Sequence, residues 1–251
     1  MKQKTFGILF AAITATLTIV AIIIYLSTPY EIRVTNLTDS SATITWKTRI
    51  PTQTKVTVTN SESELPFFLC LSSRKEAGKE LVSDEEKVSG KNHSATLVQL
   101  SPNTRYYFAP GGGFMNMIRV KAGRLFSKTY NLVGENNFAT YDLSDTPIVP
   151  ASLYGKVEIE SGRDDQAACY EQAVVFIDGG EISPISTLIN DTGGWSIDLS
   201  ASRDGDGHVK QYSGEIETVS VFVDAGKCGS IEAELTDVVV NENIGSLIIG
   251  K

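Results

Sequence analysis

The chain has 251 residues, and because Lys2 and Lys4 precede an uncharged stretch from Phe6 to Tyr30, the 222 residues after position 29 hold 20 basic and 30 acidic side chains. A surface at net −10 repels phosphate backbones, which argues against a nucleic-acid partner. Two histidines and three cysteines leave few side chains for metal or acid/base chemistry, while the length leaves room for two domains of about 110 residues each.

Phe6 to Leu26 is 21 uncharged, mostly apolar residues. At about 1.5 Å per residue a helix of that length covers the roughly 30 Å of bilayer hydrocarbon. Thr14, Thr16 and Thr18 fit such a helix, because each hydroxyl can bond back one turn. Tyr25 and Tyr30 fall where an interfacial belt would lie. The apolar core exceeds that of a cleaved signal peptide, and Tyr25-Leu-Ser-Thr-Pro29 lacks a small-x-small site. The reading is an uncleaved signal anchor over 6–26 after a cytoplasmic tail of 1–5, with Lys2 and Lys4 holding the N-terminus inside and everything after it outside the cytoplasm.

Lys4-Thr-Phe-Gly7 before an apolar helix is similar to a prepilin processing site, which makes a pilin-like filament subunit the alternative. Two features oppose it: the pilin glutamate position holds Ala12, and Pro29 stops the helix.

From Glu31 onward the pattern alternates and is rich in β-branched residues, so strands are expected. In Ser41-Ala-Thr-Ile-Thr-Trp-Lys47, Ala42, Ile44 and Trp46 share one face and Thr43 and Thr45 the other, so one face is expected to be buried. Lys55 to Thr59 and His93 to Val98 repeat the alternation, with His93 opening its strand and expected to face solvent. Short strands at this spacing imply a sandwich.

Residues 30–141 resemble the fibronectin type III domain. The resemblance rests on Val34 to Trp46, similar to the family's first two strands with the core tryptophan on the second, and on Leu100-Ser-Pro-Asn-Thr-Arg-Tyr106. It implies a tyrosine corner in which Leu100 enters the core, Pro102 fixes the bend and the Tyr106 hydroxyl bonds nearby backbone. Asn137 to Tyr141 is the expected last strand. Loops 66–88 and 110–136 are longer than the family needs, which makes Phe67, Phe68, Phe114, Met115 and Met117 candidate contacts, against the plainer reading that they cover an extra hairpin. Purple acid phosphatases carry a similar domain ahead of a catalytic one. No catalytic domain is recognisable after it here, and His93 and His208 as the only imidazoles do not suffice for a two-metal site of the usual kind.

Asp142 to Pro150 holds two prolines and reads as a short, stiff linker. Beyond it, Leu153–Ile159, Ala173–Ile177, Ser183–Ile189 and Trp195–Leu199 read as strands of a second sandwich over 151–251. This run resembles the carboxypeptidase regulatory-like domain, a transthyretin-like fold, through Gly155-x-Val157, Ala173-x-Val175 and the hairpin Asn190-Asp-Thr-Gly-Gly-Trp195, in which Gly193 and Trp195 are structural. The usual Thr-Asp before the turn is Ile189-Asn190 here. The fold class expected is therefore all-β, two tandem β-sandwiches after one transmembrane helix.

Cys169 and Cys228 share the second domain in an oxidising compartment, so a bond between them is expected, against two separate buried thiols. Cys70, after Pro-Phe-Phe-Leu, reads as an inert buried thiol. Asp204 and Asp206 in Asp-Gly-Asp-Gly-His208 begin like a calcium loop, but Val209 replaces its glycine and no glutamate follows at its twelfth position, so a solvated turn is the competing reading. Asp164 and Asp165 receive the same discount. No Gly-x-Ser-x-Gly and no cysteine with histidine and an orienting acid is present, and no catalytic residue or cofactor is assigned. Asn36, Asn92 and Asn190 head Asn-x-Ser/Thr sequons. The expectation is an elongated, membrane-anchored, non-catalytic surface module for adhesion, binding or scaffolding, whose partner is a protein or glycan. A less favoured reading is an accessory of a polysaccharide- or phosphate-ester-hydrolysing system.

Overall fold

The computed structural model describes residues 2–52, 54, 56–60, 90–110, 136–143, 149–160, 166–171, 173–178, 183–200, 202–204, 206–212 and 214–250. Phe67, Phe68, Cys70, Phe114, Met115, Met117, Asp164 and Asp165 lie outside them. Helix α1 runs from Lys2 to Ser27, and its stretch Phe10–Ser27 is long and apolar enough to cross a membrane, with none of it buried in the protein. The hydroxyls of Thr14, Thr16 and Thr18 donate to the carbonyls of Phe10, Ala12 and Thr14, each at 2.9 Å. Apolar surroundings thus meet no unsatisfied threonine hydroxyl.

After Thr28 and the buried Pro29, six strands among the described residues form two three-stranded sheets. Strands β1 (Tyr30–Thr35), β2 (Ala42–Thr52) and β4 (Gly90–Leu97) make one, in the order β1-β2-β4. The other is β3-β5-β6, from β3 (Val56–Thr59), β5 (Arg105–Pro110) and β6 (Asn137–Ala139). All pairings are antiparallel. With the period of two, Ala42, Ile44 and Trp46 meet Val56, Val58, Phe108 and Phe138 between the sheets. At the corner after β4, Leu100 is buried and the Tyr106 hydroxyl accepts the Ser101 N–H at 2.8 Å.

A second sandwich follows. Strands β7 (Ser152–Ile159), β10 (Gly194–Asp198) and β13 (Asn243–Ile249) form the sheet β10-β7-β13, in which β13 runs parallel to β7. Strands β8 (Val174–Asp178), β9 (Ile185–Leu188), β11 (Glu215–Asp224) and β12 (Ser230–Val239) form the sheet β12-β11-β8-β9. Leu153, Val157, Ile177, Trp195, Ile197, Val221 and Val223 fill the space between. Strands β11, β12 and β13 lie beyond the segments that the alternation marks, and they supply partners for both β7 and β8. At the β9–β10 hairpin Gly193 has φ +86°, and a side chain there would run into the Val157 carbonyl, so glycine is required. The single turn α2 (Gln166–Tyr170) is joined to the turn after β11 by a disulfide between Cys169 and Cys228, whose Cα atoms lie 5.8 Å apart.

The two sandwiches are packed against each other. Thr43 and Thr45 were assigned to the face opposite the core, and that face is buried as well, each residue being 3% exposed. Above them lies the sheet β12-β11-β8-β9, with Phe176, Ser186, Phe222 and Asp224 turned toward the first sandwich. A strand face of threonines reads as solvent-exposed in isolation, but its hydroxyls are equally suited to a polar seam. This packing of a sheet face on a sheet face differs from the elongated arrangement expected of a stalk.

Candidate functional site

The seam between the sandwiches concentrates the polar chemistry of the chain. Asn36 sits just past β1 with φ +49°, a conformation that asparagine tolerates better than other non-glycine residues. From there its side-chain amide pairs with the outer edge of β9. Nδ2 donates to the Ser186 carbonyl at 2.8 Å, and Oδ1 accepts the Ser186 N–H at 2.9 Å. The Asn36 backbone N–H donates to the Pro184 carbonyl at 3.0 Å. One side chain thereby closes a strand edge that would otherwise be open to another chain. It also occupies the nitrogen that a glycan on this sequon would need. Beside it the hydroxyls of Thr35 and Ser186 share a buried hydrogen bond of 2.6 Å.

Farther along the seam Lys47 reaches Asp224 at 2.5 Å and Glu31 at 2.6 Å. The Asp224 side chain is 6% exposed and that of Glu31 51%, so the first pair is shielded and the second is wet. Burial alone would lower the Lys47 pKa, but the hydrogen bonds and charges of Asp224 and Glu31 outweigh it and hold the ammonium above its ordinary value. The Arg33 guanidinium lies 4.6 Å from the Phe176 ring and 5.3 Å from the Phe222 ring, a cation over paired aromatics. A third anchor is Tyr141, whose hydroxyl meets that of Ser183 at 2.6 Å and whose ring would touch any side chain at Gly207.

Between the loop after β1 and strands β9 and β10 a cleft of about 340 Å³ opens, lined among others by Asn36, Thr38, Ser183, Ser186, Asp198 and Arg203. Its walls offer hydroxyls and amides with one carboxylate and one guanidinium. That set can hydrogen-bond a polar ligand, but it pairs no nucleophile with a base.

His93 does not face solvent. It is 2% exposed, inside β4, and stacked on Trp46 with ring centroids 4.9 Å apart. The hydroxyls of Thr48 and Thr52 lie 2.9 and 3.2 Å from Nε2, and that of Thr54 lies 3.0 Å from Nδ1. Burial pushes its pKa down to about 4, so the ring is neutral at neutral pH. The physical reason is register: His93, Ala95 and Leu97 are two apart, and the last two belong to the core face.

At the calcium-like loop the Asp204 Oδ1 accepts the N–H groups of Asp206 and His208 at 3.0 and 2.9 Å. The His208 and Asp206 N–H groups hold the Asp204 carboxyl below the usual carboxylate range. His208 Nδ1 lies 3.6 Å from the Asp204 carboxylate. Among the described residues no three His, Cys, Asp or Glu side chains converge on a metal position. Trp46 and Trp195 are buried in their respective cores, and Pro102 stands in the exposed turn before Tyr106.

The seam residues Asn36, Lys47, Ser186 and Asp224 escape a reading of the sequence. The only local signals are an Asn-containing turn after Val34-Thr35 and an aspartate ending the apolar alternation of Val219, Val221 and Val223.

Residues 29–132 match the family model of the purple acid phosphatase N-terminal domain. No curated protein matches the chain. Among solved structures, a redesigned β-sandwich protein is similar at 22% identity and TM-score 0.26, over 46% of this chain and 96% of that one. The chicken CNTN1 FN1–FN3 domains are similar at 15% identity and TM-score 0.25, over 84% of this chain and 65% of that one. The central fibronectin-III array of RIM-binding protein is similar at 16% identity and TM-score 0.24, over 86% and 64%. The chain thus spans slightly less than two thirds of those two arrays. At these TM-scores none superposes on the whole chain. The first sandwich is fibronectin type III-like on its own strand order, since β1-β2-β4 facing β3-β5-β6 corresponds to A-B-E facing C-F-G.

Proposed function

We propose that the chain is a membrane-anchored, non-catalytic module for surface adhesion, binding or scaffolding. Its N-terminus lies in the cytoplasm and both sandwiches outside, the second being of the carboxypeptidase regulatory-like kind. The seam supports this reading most strongly. Its buried hydrogen bonds and ion pair suit a module that presents surfaces in a fixed relation, and none of its residues forms a catalytic pair. A protein or glycan ligand, met through hydroxyl and amide groups, fits the cleft beside Asn36 and Asp198.

The test uses the full chain on intact cells. Protease added outside should remove the sandwiches, and surface crosslinking should recover an extracytoplasmic protein or glycan whose capture falls when Asp198→Arg fills the cleft. Full protection from protease would overturn the topology, and capture indifferent to Asp198→Arg would overturn the cleft.

The match to a purple acid phosphatase N-terminal domain favours a second reading, an accessory of a phosphate-ester hydrolase. Crosslinking would then recover a phosphatase.

A further inference from the structure

We propose that Arg49 forms a binding site for the phosphate of a phospholipid headgroup, built where the first sandwich meets the end of α1. The inference rests on the membrane-anchor reading and adds a lipid contact made by the sandwich itself.

Helix α1 has no basic residue in its last turn, so its own sequence leaves the C-terminal carbonyls without a cation. The cation comes from β2 instead. The Arg49 guanidinium lies 4.3 Å from the Tyr25 ring and 4.8 Å from the Tyr30 ring, and its Nη1 donates to the Tyr25 carbonyl at 3.4 Å. Tyr25 is in the last helical turn of the apolar stretch that ends at Ser27, and Tyr30 is three residues past that end. These are the positions of an interfacial aromatic belt, so both rings, and the guanidinium on them, stand at headgroup level.

The N–H donors of a guanidinium lie in its own plane, and that fork matches two phosphate oxygens. Among the described residues the guanidinium makes one hydrogen bond, the long one to the Tyr25 carbonyl. None of the ion pairs among the described residues involves Arg49. Arg33 and Lys47, the neighbouring cations of the same sheet, are engaged by Phe176 and Phe222 and by Asp224 and Glu31. Lys91 of β4, the remaining cation of the sheet, has an interaction of its own, so among the described residues Arg49 is the cation of this sheet left for an outside anion. With the extracytoplasmic part at net −10, a fixed arginine at the bilayer also offsets repulsion from anionic lipid.

The full chain is labelled with guanidino-¹³C arginine and reconstituted into phosphatidylcholine–phosphatidylglycerol vesicles in phosphate-free buffer, so that lipid is the only source of phosphorus. Dephasing of the ¹³C signal by ³¹P should be present, and Arg49→Lys should remove it while near-UV circular dichroism stays unchanged. Flotation with the vesicles is read in parallel. A protein that floats but shows dephasing unaltered by Arg49→Lys, or none, overturns the lipid site and leaves the anchor standing. A protein that does not float overturns both.

Discussion

Lys47 of the first sandwich and Asp224 of the second meet at 2.5 Å, with the aspartate 6% exposed. A shielded pair of this kind adds little net stability over an apolar pair, but removing one partner strands a charge. Asp224→Ala should therefore destabilise the protein by about 2 kcal/mol, less than a fully buried pair would lose because Lys47 keeps Glu31 and access to water. Lys47→Met with Asp224→Leu should recover most of that loss. Urea unfolding of the three variants checks it, and equal destabilisation by single and double changes would contradict the account.

Asn36→Ala removes the amide that closes the edge of β9 and places alanine at φ +49°. At roughly 1 kcal/mol for each net hydrogen bond and a similar strain, the expected loss is about 3 kcal/mol. Amide exchange at Ser186 should accelerate more than exchange at Val221, deep in the same sandwich. Uniform acceleration would mean that the seam does not protect this edge.

The alternation of the sequence was enough to locate the inner face of β2, because it depends on neighbours within a few residues, and the resemblance to the fibronectin type III domain implied the tyrosine corner. The seam was not legible for the opposite reason. Thr43, Thr45 and Lys47 look like the wet side of a strand until Phe176, Ser186 and Asp224, contributed by three strands far along the chain, are folded over them. His93 was within reach of the sequence, since continuing the period back from Leu97 and Ala95 places it on the core face. A titratable side chain suggested solvent, and tertiary packing against Trp46 decided otherwise.

His93 makes stability depend on pH. In the unfolded chain it takes a proton near its ordinary pKa of 6.5, whereas the folded ring resists until about 4. The contribution of the neutral ring is complete above pH 6.5 and declines as pH falls toward 4, by a total of about 3 kcal/mol. Urea midpoints of the parent should fall across that window more steeply than those of His93→Gln. Parallel curves would show that His93 titrates alike in both states.

The Cys169–Cys228 disulfide closes a loop of 59 residues. On the chain-entropy account this stabilises the second sandwich by about 4 kcal/mol. Cys169→Ser with Cys228→Ser should lower the thermal midpoint of that sandwich and leave near-UV signals from Trp46 in place at moderate temperature. Simultaneous loss of Trp46 and Trp195 signals would show that the sandwiches unfold as one unit.

The central claim is that the seam holds the two sandwiches in one fixed relation. Spin labels at Val98 and Ile248, both exposed and on different sandwiches, measure it in the full chain in lipid nanodiscs with Cys70 replaced by serine. A single narrow distance distribution is predicted, broadening when Asn36→Ala and Asp224→Ala are combined. A broad distribution in the otherwise unaltered seam would contradict the account.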